Sequence, residues 1–118
     1  MAGSLQEFLV RATPEAAEEL EKALQRLPED KWRWSPMGQA RTALDMAAEC
    51  AILGDVTEMV RTKKFPADFD FAEFGRAKAE LAQDWTAVRS LLHENVGKTV
   101  AVIPTVPDED LGIEIPMP

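Results

Sequence analysis

The chain is poor in the side chains that carry most catalytic chemistry: it has one cysteine and one histidine in 118 residues. A single cysteine excludes an internal disulfide, which fits a reducing, cytoplasmic setting. A single histidine excludes any His-x-x-x-His pair. There is also no Cys-x-x-Cys, no glycine-rich phosphate loop and no Ser-His-Asp set. Positive charge is scarce: 13 Lys and Arg stand against 21 Asp and Glu, a net charge of −8. A surface this acidic repels phosphate backbones. Arg61 with Lys63 and Lys64 is the one basic cluster, too short to track a nucleic acid, so no nucleic-acid partner is expected. Long apolar runs are missing as well. Leu9-Val10 meets Arg11 at once, which leaves no signal-peptide core, and no stretch reaches the length of a membrane span.

What is present is helical periodicity. Apolar content is 46% and charged content 29%, ordinary for a globular chain of one domain, residues 1–118. Leu5, Phe8, Leu9, Ala12, Ala16, Leu20, Ala23, Leu24 and Leu27 recur in steps of mostly three and four, the apolar stripe of a helix over residues 4–27. The stripe keeps its phase across Pro14, which predicts one long helix kinked or briefly broken near Thr13; two collinear helices is the other arrangement the sequence allows. Pro28 ends it, and residues 29–39 form a loop carrying Trp32 and Trp34. The two indoles are expected to fold back over the end of the helix core, with ligand stacking as the alternative.

A second helix is predicted over residues 40–62. Leu44, Ala47, Ala51, Gly54 and Glu58 form one row, and Met46, Cys50, Leu53, Val56 and Val60 form a broader apolar face beside it. Gly54 in mid-helix costs about 1 kcal/mol against Ala, which a close helix contact offsets. After a linker broken by Pro66, Asp70 is the expected N-cap of a third helix over residues 71–95. Phe74, Ala77, Leu81, Trp85, Val88, Leu92 and Asn95 make its buried face, and Gly97 its stop signal. Residues 98–118 hold four of the eight prolines and are expected to be an extended tail. The fold class is therefore all-α, an up-down bundle of three long helices with that tail.

The loop Leu27-Pro28-Glu29-Asp30-Lys31-Trp32 with Trp34-Ser35-Pro36, the entry Ala40-Arg41-Thr42-Ala43-Leu44 to the second helix, and Asp110-Leu111 with Ile115-Pro116-Met117 resemble the DinB/YfiT-like superfamily. The resemblance covers nearly the whole chain. It implies a four-helix bundle from a family of metal-dependent enzymes, some similar to thiol-dependent transferases or hydrolases. It also implies a divalent metal such as zinc or nickel as the family cofactor. The usual site takes one histidine from the second helix and two from a His-x-x-x-His pair near the last. Here the first ligand position is Glu49, the pair is missing, and the expected fourth helix would begin after Pro118. The chain thus reads as a shortened member with an incomplete site. Its uncovered apolar walls invite a second copy of the chain, so a homodimer is expected.

Three residues were candidates for chemistry. Glu49 lies at the border of the apolar face, one turn from Asp45, and the two carboxylates together would suit magnesium or manganese. The other reading of Glu49 is a boundary carboxylate paired with Arg or Lys from a neighbouring helix. His93 is expected on the polar face of the third helix near its C-terminus, without partners. Cys50 is expected on the buried face as a small hydrophobe. Asp68 and Asp70 read as a helix-start cluster rather than a metal loop. The two function classes are accordingly a metal-dependent enzyme with an incomplete site and a non-catalytic helical protein acting through association.

Overall fold

The structure, a computed structural model, describes residues 4–117; residues 1–3 and 118 of the expected domain lie outside the described residues. Within them every regular element is helical and no strand occurs. Ser4 opens α1 (Leu5–Gln25) by accepting a hydrogen bond from the Glu7 amide at 3.1 Å, an N-cap worth about 1 kcal/mol. The helix passes through Pro14 as one element. Its buried residues are Ala17, Glu21 and Leu24, while Ala16 and Ala23 of the expected stripe are exposed. The buried face is rotated by about one residue because a carboxylate, Glu21, takes an inward position.

The other two expected helices each divide. Residues 40–62 form α2 (Ala43–Ile52) and α3 (Thr57–Thr62). Thr42 caps α2, its hydroxyl accepting from the Asp45 amide at 3.0 Å. The break falls at residues 53–56, and its cause is tertiary. Thr99 donates its hydroxyl to the Gly54 carbonyl at 2.6 Å and accepts from the Val56 amide at 3.1 Å. Asn95 Nδ2 donates to the Ala51 carbonyl at 2.8 Å. Two polar side chains thus take over groups that a helix end leaves unpaired. Gly54 sits at this break rather than in mid-helix, and a Cβ there would lie 3.4 Å from Cβ of Asn95, so the expected close contact is present.

Residues 71–95 divide into α4 (Phe71–Leu81) and α5 (Trp85–Val102). Asp70 caps α4 as expected, accepting from the amides of Ala72 at 2.9 Å and Glu73 at 3.1 Å. Asp84 restarts the chain by accepting from the Thr86 amide at 3.0 Å. α5 then runs straight past Gly97, and the extended tail expected from residue 98 is corrected: residues 98–102 are helical. The run Thr99 to Ile103, β-branched except at Ala101, has weak helix propensity, but burial of Thr99 and Val102 overrides it. Single 3₁₀ turns follow at Ile103–Thr105 and Asp108–Asp110.

Side-chain contacts fix the helix directions. Trp32, which joins α1 to α2, stacks edge-on to Trp85 at the start of α5, with ring centroids 5.8 Å apart, and its carbonyl accepts from the Leu44 amide at 3.1 Å. Ala51 and Gly54 then meet Asn95 and Thr99, so α2 and α5 run in the same direction. α1 runs opposite: Leu24 meets the Trp32 indole, whose Nε1 donates to its carbonyl at 3.0 Å, Glu21 meets α5, and Gln6 Nε2 donates to the Val106 carbonyl at 3.0 Å. The core lies between these three helices and is built from Ala17, Ala47, Ala48, Ala51, Val88 and Leu92. Alanines contribute little apolar area each but let the backbones approach closely. Trp32 behaves as expected and covers the core's end, whereas Trp34 is 54% exposed beneath the Lys31 ammonium. In the α3–α4 linker, Phe69 packs against Phe65, Phe71 and Phe74.

Candidate functional site

Glu49 lies on the flank of α2, facing α4. Arg41, just ahead of the Thr42 cap, folds back along the helix. Its Nε reaches Asp45 at 2.5 Å and its Nη1 reaches Glu49 at 2.8 Å. From α4, Lys78 Nζ approaches Asp45 at 3.6 Å and Glu49 at 3.9 Å. Glu49 first, and Asp45 second, raise the Arg41 pKa above its ordinary value through hydrogen bonds to the guanidinium. Two carboxylates one helical turn apart therefore face two cations. This is the boundary pairing that the sequence offered as the second reading of Glu49.

A zinc centre takes three or four protein ligands of suitable type, and magnesium takes carboxylates free of competing cations. Among the described residues no group of three His, Cys, Asp or Glu side chains could hold a metal ion. Around Glu49 the third and fourth groups are a guanidinium and an ammonium, which repel a divalent cation. The donor set at Glu49 thus does not fit zinc, nickel, magnesium or manganese. No reaction step is derived through one.

His93 is half exposed, but it stands well inside α5 rather than near a helix end, and it has a partner. Its Nε2 meets Glu21 Oε1 of α1, and Arg89 Nε approaches the same oxygen at 3.3 Å. Glu21 is 9% exposed and is the functional-looking residue that the sequence reading missed. Its signal was there: Ala17, Glu21 and Leu24 follow the four–three spacing of one helix face. The trio ties α1 to α5. It holds a carboxylate against an imidazole, and among the described residues no hydroxyl or thiol hydrogen-bonds to His93; Cys50, the lone thiol, lies on α2.

Cys50 is exposed, which corrects its expected burial. Of the two apolar rows on α2, α5 covers the small-residue row of Leu44, Ala47, Ala48 and Ala51. The broader row turns outward: Met46 is 46% exposed and Leu53 52%, with Cys50 between them. Small side chains on the inner row let α5 approach α2 closely. Comparison with family models, with curated proteins and with solved structures finds no match to this chain.

Proposed function

We propose that this chain is a DinB-like helical domain that works by association with a second copy of itself, not by catalysis. The outward row of α2 is the contact, and the observation that carries the reading is the company it keeps. Met46, Cys50 and Leu53 form an apolar strip on a helix flank whose adjoining charges, Arg41 and Lys78 against Asp45 and Glu49, sum to zero. The chain as a whole carries −8. Two copies approaching through most of its surface repel one another, whereas here they meet across a neutral, self-complementary patch, as a two-fold interface requires. Glu49 in this reading belongs to the rim of the contact. Its carboxylate is held by Arg41 and Lys78 and stabilises the interface edge.

Sedimentation equilibrium tests the proposal. The protein is expected to dimerise with concentration, and Met46→Glu or Leu53→Glu is expected to weaken the dimer by about tenfold or more with unchanged helical circular dichroism. Mild oxidation is expected to trap a Cys50–Cys50 linked dimer. A protein that stays monomeric at high micromolar concentration defeats the reading, as does a dimer indifferent to both substitutions. Stoichiometric zinc or nickel carried by the purified protein and lost on Glu49→Ala would return the domain to the metal-dependent enzymes instead.

A further inference from the structure

At the far end of the bundle from Trp32, two cavities of about 300 and 390 Å³ adjoin. They share Arg61 of α3 and Thr105, so they form one cleft between α3, the end of α5 and the segment that follows it. The wall of the first cavity is aliphatic, with Val60, Val106, Ile113 and Ile115, and no aromatic ring lines either one. Gln6 holds this wall in place, since its Nε2 donates to the Val106 carbonyl and to Asp108 Oδ1 at 2.8 Å.

The cations of the cleft differ in how they are engaged. Lys63 Nζ pairs with Asp110 at 3.1 Å. Lys98 Nζ is shared between Glu94 at 3.5 Å and Asp55 at 3.9 Å. Among the described residues the Arg61 side chain makes no contact ion pair and no hydrogen bond, although 21 acidic residues compete for 13 basic ones. A guanidinium that no carboxylate contacts, its charge reaching Asp55 only through space, stands beside an aliphatic wall in an otherwise acidic protein, a combination that a ligand explains.

From this cleft we infer a binding site for a small aliphatic monocarboxylate, whose carboxylate pairs with Arg61 and whose hydrocarbon body lies on Val60, Val106, Ile113 and Ile115. The planar fork of the guanidinium matches a carboxylate bidentately. A single unpaired positive charge asks for a monoanion, and Asp55 and Asp110 at the margins disfavour a dianion such as a phosphate monoester. The missing aromatic platform argues against a nucleobase or another flat ring. The cavity that holds the aliphatic wall, about 300 Å³, stands at the small end of the range for ligand pockets, which suits a short chain. The lining of the site contains none of Met46, Cys50 and Leu53, so its occupancy is tested separately from self-association.

The probe is sodium octanoate, titrated by calorimetry and by amide and methyl NMR against the full chain. Octanoate is expected to bind and to shift the methyl signals of Val60, Val106, Ile113 and Ile115. Arg61→Gln is expected to weaken binding by about tenfold or more, and Arg61→Lys, which keeps the charge, to recover part of the loss. Lys64→Gln, a nearby cation outside the cleft lining, is expected to leave binding unchanged. Both positions are exposed, and circular dichroism confirms that the variants are folded. The inference is overturned if octanoate does not bind, if 1-octanol binds as well as octanoate, if Lys64→Gln costs as much as Arg61→Gln, or if the shifts map to Met46 and Leu53.

Discussion

Asn95→Asp, a change of one side-chain atom, tests how the break between α2 and α3 is held. Asn95 is 7% exposed, and its Nδ2 donates to the Ala51 carbonyl at 2.8 Å. Asparagine to aspartate keeps the shape and removes the donor. The new carboxylate oxygen then faces a carbonyl oxygen at the C-terminal end of α2, where the helix dipole is also negative. Two costs add. Losing the hydrogen bond costs about 1 kcal/mol. Burial of the charge raises the carboxyl's pKa, and a rise of about two pH units costs about 3 kcal/mol at neutral pH, where the group stays ionised. The total, about 3–4 kcal/mol, is a large share of the 5–15 kcal/mol typical of a whole domain. Asn95→Ala loses the same hydrogen bond and opens a small cavity, but buries no charge, and should cost about 1–2 kcal/mol.

The pH dependence separates the two costs. The introduced carboxyl has a folded pKa above its unfolded one. The charge penalty is therefore absent below the unfolded value, about pH 4, grows as pH rises through the window between the two, and is complete above the folded value. In its protonated form the carboxyl also regains a donor for the Ala51 carbonyl. Urea unfolding, followed by tryptophan fluorescence from the Trp32–Trp85 pair between pH 4 and pH 7, measures this. Asn95→Asp should be the weaker variant at pH 7 and should approach or pass Asn95→Ala at pH 4. A gap that does not change with pH, or an aspartate no worse than alanine at pH 7, would falsify the account of the break.

The remaining tests address the core and the acid limb of stability. Leu44 is 1% exposed at the point where α2 meets the tryptophan pair, so Leu44→Ala should cost about 2–5 kcal/mol in the urea midpoint; a loss under about 1 kcal/mol would mean that the site collapses or is not core. Hydrogen bonds from Thr57, through its hydroxyl and then its amide at 2.9 Å, hold the Asp55 carboxyl below its ordinary value. That stability is present above the unfolded value and lost as pH falls through the lower folded one, so Asp55→Asn should flatten the acid limb of a thermal-unfolding series below about pH 4, and superimposable limbs would refute it.

Much of the fold was legible because local rules and global packing agreed. The stripe that keeps its phase across Pro14 gave α1, and Asp70 marked the start of α4 by ordinary capping chemistry. The two breaks were harder for different reasons. Asp84 was a readable cap, followed by Trp85 and Thr86, but the apolar spacing runs through it and hides it. The break at residues 53–56 has a local signal in Gly54-Asp55, with Asp55 accepting from the Thr57 amide at 2.9 Å, but Leu53, Val56 and Val60 continue the periodicity and hide it. The break depends on Thr99 and Asn95, some 45 residues away. Gly97 misled in the opposite direction, since a glycine stop is only as strong as the absence of packing beyond it. The candidate site divides in the same way. Pairing of Arg41 with Asp45 and Glu49 follows from helical spacing, whereas Lys78 arrives by tertiary placement. Cys50 could not be placed from periodicity alone, because α2 carries two apolar rows and only the approach of α5 decides which one is buried.

The inward residues of α5, Trp85, Val88, Leu92, Asn95, Thr99 and Val102, alternate steps of three and four along the whole helix, the spacing of a packed seam. Two of the six are polar, and both act on the end of α2. A core made mainly of alanine holds the helices close but says little about their register, since one small side chain fits where another did. Asn95 and Thr99 supply that information. Sliding α5 by one turn against α2 would leave their side chains, the Ala51 and Gly54 carbonyls and the Val56 amide without partners in a dry interior, at about 1–3 kcal/mol for each buried group. The same contacts end α2 and turn the chain into α3, which sets Val60 and Arg61 against the segment after α5. The seam that fixes the register of the bundle is thus also what forms the cleft at Arg61.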